Sequence, residues 1–246
     1  MNKSFLNTVI TFSVVMALTL VVSGAPVLAQ LHGHSDIEFG YMDGKIEVEF
    51  GDEGQVFEGA FPTSTDIGEG LVEQFTDDPG FNTNDAEGLS VNPGDKIDFQ
   101  VLGPLAYHNG SSFSAVPGGS HILIEDAALQ VLSVNAQTVG PVSSVGPIAV
   151  GDGDGDVHAH LDFALQPTSL GELEFGAYGL QMRLVTDAVG IASSDPYFVV
   201  FNFGLNDPVF EGAVEDFASI IPEPTSLAAL GFMSTLLIMR RKIRRA

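Results

Sequence analysis

Hydrophobic and polar residues alternate with a period of two along most of the chain. Such alternation puts every second side chain on one face and is typical of half-buried β-strands. The runs 36–41 and 45–50 flank Asp43-Gly44, a dipeptide typical of a two-residue hairpin turn. Further strands are predicted at 97–101, 121–124, 128–134, 158–165, 176–186 and 197–203. The pattern predicts an all-β fold, an antiparallel β-sandwich or jelly roll.

Two segments depart from this alternation. After Asp207-Pro208, which can supply an N-cap and a first helical residue, apolar residues recur at helical spacing. These residues are Val209, Phe210, Ala213, Val214 and Phe217. We therefore expect one short C-terminal helix. The segment 59–88 has weak periodicity and seven acidic residues without a basic one, which predicts a long surface loop.

The amino terminus has the pattern of a secretory signal. Lys3 precedes a short apolar run, and small residues follow it up to Ala29. This arrangement predicts a signal peptide at 1–29, cut by signal peptidase between Ala29 and Gln30. Two apolar targeting helices would then flank the β domain, one at each end of the chain. An uncleaved membrane anchor is the alternative at this end.

The carboxyl terminus has a second apolar segment. The sequence Pro222-Glu223-Pro224 is followed by fifteen mostly apolar residues, 225–239, and then by a cluster of Arg and Lys. As a helix this segment spans roughly 22 Å, and its basic end would stay cytoplasmic by the positive-inside rule. A plain membrane anchor is one interpretation.

This tail resembles the PEP-CTERM sorting signal in the order of its three parts. The resemblance implies an exported protein whose tail an exosortase recognises and removes after transient anchoring in the inner membrane. It also implies a location in the envelope, outer surface or extracellular matrix of a Gram-negative-type bacterium, with extracellular polysaccharide as a candidate partner. The predicted organisation is a signal peptide at 1–29, an acidic β-sandwich domain at 30–217, a linker at 218–224, and a sorting helix with a basic tail at 225–246.

Charge is distributed very unevenly. The chain of 246 residues has a formal net charge of −23, yet residues 31–219 contain 31 acidic residues against 3 basic ones, a net charge of −28. Nucleic acid is an unsuitable partner, because a polyanion must be neutralised by Lys and Arg. The chain has no Cys, which excludes disulfides, Cys-ligated zinc, iron–sulfur clusters and a thiol nucleophile.

Four of the six histidines occur in two copies of a His-x-His-x-Asp pattern. The copies contain His32, His34 and Asp36, and His158, His160 and Asp162. In an extended strand, residues two and four apart point to the same face, so each copy would align two imidazoles and a carboxylate. Imidazole with carboxylate suits zinc, and also copper, nickel or iron. If the two strands approach each other, the motifs would converge on one ion; chance spacing on two solvated strands is the alternative.

Scattered segments of the body resemble PEP-CTERM surface proteins repressed by the zinc-uptake regulator. These segments are the His-rich start, the His158–His160 strand and 194–202. The resemblance implies a zinc-linked surface protein and carries His32, His34, His158 and His160 over as ligands. His121, which opens a predicted strand, is a further candidate that rests on its position alone.

The run Asp152-Gly-Asp154-Gly-Asp156 suggests calcium, because alternating Asp side chains and carbonyls can supply oxygen ligands. It is not an EF-hand, since Val157 replaces the required Gly and Phe163 the bidentate Glu. A flexible Asp-Gly turn is the alternative and the one we favour.

The sequence as a whole predicts a surface protein that is not an enzyme and that binds a divalent metal, with zinc favoured. A structural or adhesive matrix component without a specific metal site is the second interpretation. A metal-dependent β-sandwich enzyme is the third, and no His-Glu-x-x-His or Gly-x-Ser-x-Gly motif supports it.

Overall fold

The computed structural model describes residues 36–50, 54–63, 74–167 and 173–221. Within these ranges the chain forms sixteen β-strands and one α-helix. In chain order the strands are β1 (Ile37–Met42), β2 (Lys45–Val48), β3 (Val56–Ala60), β4 (Gln74–Thr76), β5 (Phe81–Asn82), β6 (Lys96–Val101), β7 (Ala106–His108), β8 (Phe113–Ser114), β9 (His121–Glu125), β10 (Val131–Asn135), β11 (Val142–Ser143), β12 (Ala149–Val150), β13 (His158–Ala159), β14 (Asp162–Gln166), β15 (Gly176–Thr186) and β16 (Tyr197–Phe203). The helix α1 spans Asp207–Ser219. The predicted fold, mostly β with one short helix, is confirmed.

The strands form three sheets. One has the order β13-β5-β1-β2, a second β10-β9-β14-β4, and the largest β11-β6-β15-β16-β3 with β12 beside β6 and β7 and β8 beside β15. All pairings are antiparallel except β1 with β5 and β16 with β3, which are parallel. The expectation of a purely antiparallel fold is therefore wrong for these two pairs.

One hydrophobic core joins the inward faces of all three sheets. Phe39 of the first sheet, Phe163 of the second and Phe99 of the largest are fully buried in the same cluster. Burying a Phe side chain contributes about 1.5–3 kcal/mol, so this cluster is the main source of stability. Burial alternates in β6, as the period-two pattern predicted.

The helix α1 covers a second, smaller core on the largest sheet. Phe210, Ala213, Val214 and Phe217 are buried there, the residues whose spacing predicted the helix. The N-cap is Asn206, one residue before the predicted Asp207, and its carbonyl accepts from the amides of Val209 and Phe210, both at 3.0 Å. No helix of the described ranges is long and apolar enough to cross a membrane. The two predicted targeting segments, 1–29 and 225–246, lie outside the described residues.

Three predicted elements differ from the structure. The predicted strand 158–165 is divided, because β13 pairs with β5 in one sheet and β14 pairs with β9 and β4 in another. The chain passes between the two sheets at His160 and Leu161. The start of 128–134 is a turn, since the Asp126 carboxylate accepts from the amides of Ala128 and Gln130. The predicted loop 59–88 contains the short strands β4 and β5.

Candidate metal centre

The two residues of β5 bring Asp36, the last residue of the first His-x-His-x-Asp motif, near the second motif. Phe81 pairs with Ile37 of β1 on one side and with Ala159 of β13 on the other. Asp36 directly precedes β1, and His158 begins β13. Asp36 and His158 therefore both lie beside β5, although more than 120 residues separate them along the chain.

Asp36, His158 and His160 form a cluster at this point. Each offers one ligand atom such that all three atoms lie within 4.8 Å of one another. A carboxylate oxygen of Asp36 lies 3.7 Å from His158 Nδ1. The two imidazole rings are 5.3 Å apart between centroids and nearly perpendicular. These separations suit three donors that converge on one ion rather than a set of direct hydrogen bonds.

Asp77 fixes the tautomer of His160. His160 Nδ1 lies 2.9 Å from the Asp77 carbonyl oxygen, which can only accept, so Nδ1 carries the proton and donates. The lone pair of the neutral ring is then on Nε2. A backbone carbonyl that orients a histidine in this way is a common second shell of metal sites.

Gly80 makes room for the cluster. It is buried, and a Cβ atom built on it would lie 2.6 Å from His160 Cε1 and 2.7 Å from Asp36 Oδ1. Its carbonyl accepts from the amide of Ile37 at 2.8 Å and so holds the start of β1. Any larger residue would push both donors away from their positions.

The predicted ligands divide into three groups. Asp36, His158 and His160 meet in the cluster, one carboxylate from the first motif and two imidazoles from the second. His32 and His34 lie outside the described residues. Asp162 lies in β14, in the other four-stranded sheet, because the chain changes sheet after His160.

His121 also lies away from the cluster. It pairs with Gln166, whereas Asp162 pairs with Glu125 at the opposite end of the same strands. Four residues of strand separate the two pairs, about 13 Å at 3.3 Å per residue. The structure therefore places His121 outside the site. His108 is buried at the end of β7, and its Nε2 lies 3.0 Å from an Asp216 carboxylate oxygen.

The Asp-Gly run forms a closed turn. Asp152 Oδ1 accepts from the amides of Asp154 and Asp156, both at 2.9 Å. These two hydrogen bonds lower the pKa of the Asp152 carboxyl. Within the described residues the three carboxylates do not form a group with oxygens within 4.8 Å of one another. The turn interpretation accounts for this geometry.

A cluster of three glutamates was not predicted. Glu38, Glu49 and Glu87 bring their oxygens within 4.8 Å of one another on the exposed side of β1. A hydrogen bond with Glu87 and the negative charge of Glu87 raise the pKa of Glu49. Asn84 donates to Glu38 at 2.9 Å. Alternation predicts that residues such as Glu38 point outward, but it does not predict which other exposed side chains lie near them.

A cleft adjoins the cluster of Asp36, His158 and His160 on the side of His158. It has a volume of about 560 Å³ and reaches from His158 to the Asp-Gly turn. Its lining consists of Asn82, Thr83, Asn84, Asp85, Ala149, Val150, Asp152, Asp156, Val157 and His158. The cluster is thus open to solvent and to small molecules on this side.

Comparisons with known proteins give no relative. No family model, no curated protein and no solved structure matches the chain. The geometry of the chain itself therefore carries the functional argument.

Proposed function

We propose that the protein is an exported surface or matrix protein whose β domain binds a divalent metal, zinc in particular, through Asp36, His158 and His160. One observation carries the proposal: residues from both His-x-His-x-Asp motifs meet beside Gly80, with their ligand atoms within 4.8 Å of one another. Two imidazoles and one carboxylate are a donor set found at zinc sites.

The surroundings of the cluster support this proposal. Asp77 leaves His160 Nε2 free to coordinate, and Gly80 leaves space between two donors. The carboxylate of Asp36 brings negative charge to the site. Imidazole nitrogen favours zinc over calcium, which prefers oxygen ligands.

Further ligands would come from the first motif. His34 and His32, which precede Asp36 by two and four residues, lie outside the described residues. We propose that at least one of them completes the zinc coordination, with water in any remaining position.

Calorimetric titration of zinc into the full-length chain tests the proposal. We expect one tight site, lost on combined His158→Ala and His160→Ala substitution and weakened on Asp36→Asn. His121→Ala is the matched control, because it removes an imidazole outside the cluster and should leave zinc affinity unchanged. Weak, multivalent calcium uptake without dependence on histidine would instead support a matrix component with a nonspecific acidic surface.

The architecture and the address are further parts of the proposal. The shared core of the three sheets supports a β-sandwich, with α1 on its outer face. The apolar segments at 1–29 and 225–246 and the Pro222-Glu223-Pro224 motif support export and sorting. Intact-mass measurement of the mature protein tests the processing: a species that retains 240–245 would contradict removal of the tail.

A further inference from the structure

The cleft beside His158 is large enough for a small organic molecule. Its volume of about 560 Å³ falls within the range of ligand pockets, roughly 300–1,000 Å³. His158 belongs both to this lining and to the metal cluster, and its side chain is 66% exposed. A metal held by the cluster would therefore lie at one end of a cavity rather than in a closed structural site.

The cleft has a strongly negative lining. Asp85, Asp152 and Asp156 contribute carboxyl groups, and Asn82 and Asn84 contribute amides. Among the described residues that line it there is no Lys or Arg. A carboxylate a few ångströms from a ligand charge changes the affinity about fivefold even in water, so anionic ligands are disfavoured and cationic ones favoured.

We propose that the cleft admits a cationic nitrogen-donor ligand that coordinates the metal with a neutral nitrogen and places an ammonium group against Asp85 and Asp156. This inference rests on the proposed metal function. Coordination would exchange a metal-bound water for the nitrogen lone pair of the ligand, without change of oxidation state. The geometry assigns the two ends of the ligand separately: His158 marks the metal end of the cleft, and Asp85 and Asp156 mark the cationic end.

Three imidazoles that differ only in the charge of their side arm are suitable probes. N-(aminopropyl)imidazole is cationic, N-propylimidazole neutral and N-(carboxyethyl)imidazole anionic. The full-length chain is loaded with cobalt(II), whose visible spectrum changes with its ligands, and each probe is titrated at low salt. We expect the cationic probe to bind at least about fivefold more tightly than the anionic one, with the difference shrinking as salt is added.

Variants separate the charge of the cleft from that of the whole surface. Asp85→Asn removes one lining carboxylate without changing any of the three candidate metal ligands. It should reduce the preference for the cationic probe. Asp43→Asn, in the turn between β1 and β2, removes the same charge away from the cleft and is the matched control. The preference should be unchanged in this control.

The outcomes distinguish the two proposals. Failure of the chain to bind cobalt or zinc would contradict the proposed function. Tight metal binding with no spectral response to any probe would overturn the inference alone, because it would show that no coordination position opens into the cleft. Equal affinity for the cationic and anionic probes, or an equal effect of both Asp variants, would also overturn it.

Discussion

Substitution of Gly80 by alanine adds a single methyl group beside the cluster of Asp36, His158 and His160. The added Cβ would lie 2.6 Å from His160 Cε1, 2.7 Å from Asp36 Oδ1 and 3.0 Å from His160 Nδ1. Favourable contacts between carbon atoms begin near 3.5 Å, so the imidazole ring must move by about 0.9 Å. Gly80 does not have a positive φ angle, so its backbone conformation tolerates alanine.

The size of this displacement decides the expected effect. Metal–ligand distances in a functional site vary by only about 0.2 Å, and the required movement is several times larger. Movement of the ring also strains its 2.9 Å hydrogen bond to the Asp77 carbonyl. Loss of such a supporting interaction typically weakens metal affinity tenfold to a hundredfold, and we expect about this loss for Gly80→Ala.

Zinc calorimetry of Gly80→Ala, with circular dichroism of the metal-free protein, measures this effect. Gly103→Ala is the matched control, since its Cβ would meet no atom within 4 Å. We expect a native spectrum for both variants and a loss of zinc affinity for Gly80→Ala only. Unchanged zinc affinity in a folded Gly80→Ala variant would refute the reasoning, because the two donors would then not need their present positions.

Three further predictions concern stability. Because Glu87 raises the pKa of Glu49, the folded state binds the proton more tightly than the unfolded state. Stability therefore falls as the pH rises from 4.5, the ordinary pKa of Glu, through the raised pKa of the folded state. Glu49→Gln should flatten this pH dependence and raise the melting temperature at neutral pH; an unchanged profile would argue against the interaction. Asp152→Ala should lose hydrogen-exchange protection at the two amides that its carboxylate holds, whereas Asp152→Asn should retain it. Phe217→Ala should cost about 3–5 kcal/mol in urea unfolding, since Phe217 is fully buried, whereas Ile220→Ala, half exposed, should cost far less; equal costs would contradict the packing of α1.

The strands that alternation marks clearly were predictable. The Asp43-Gly44 hairpin is present with positive φ at both residues, 51° and 78°, as such a turn requires. The spacing of Phe210 and Phe217 likewise predicted which side of α1 is buried. These features depend on neighbours along the chain, and a local pattern is sufficient to predict them.

The sheet that carries the candidate metal ligands was not predictable in the same way. Its inner strand β5 has two residues, too few for a periodic signal, although it pairs with β1 and β13 and Phe81 is buried in the core. The period-two pattern through Asp162 also does not show that the chain changes sheet after His160. From the sequence, a shared site required that the two motif strands approach each other. Only the pairing of β5 with β1 and β13 brings Asp36 near the second motif.

X-ray absorption at the zinc edge of the zinc-loaded full-length chain tests the central claim most directly. We expect nitrogen and oxygen ligands at about 2.0–2.2 Å, with the outer-shell scattering of imidazole rings. Combined substitution of His158 and His160 by alanine should remove most of that imidazole signal, and His121→Ala should not. A zinc spectrum without imidazole scattering, or one that the double substitution leaves unchanged, would contradict a metal centre at Asp36, His158 and His160.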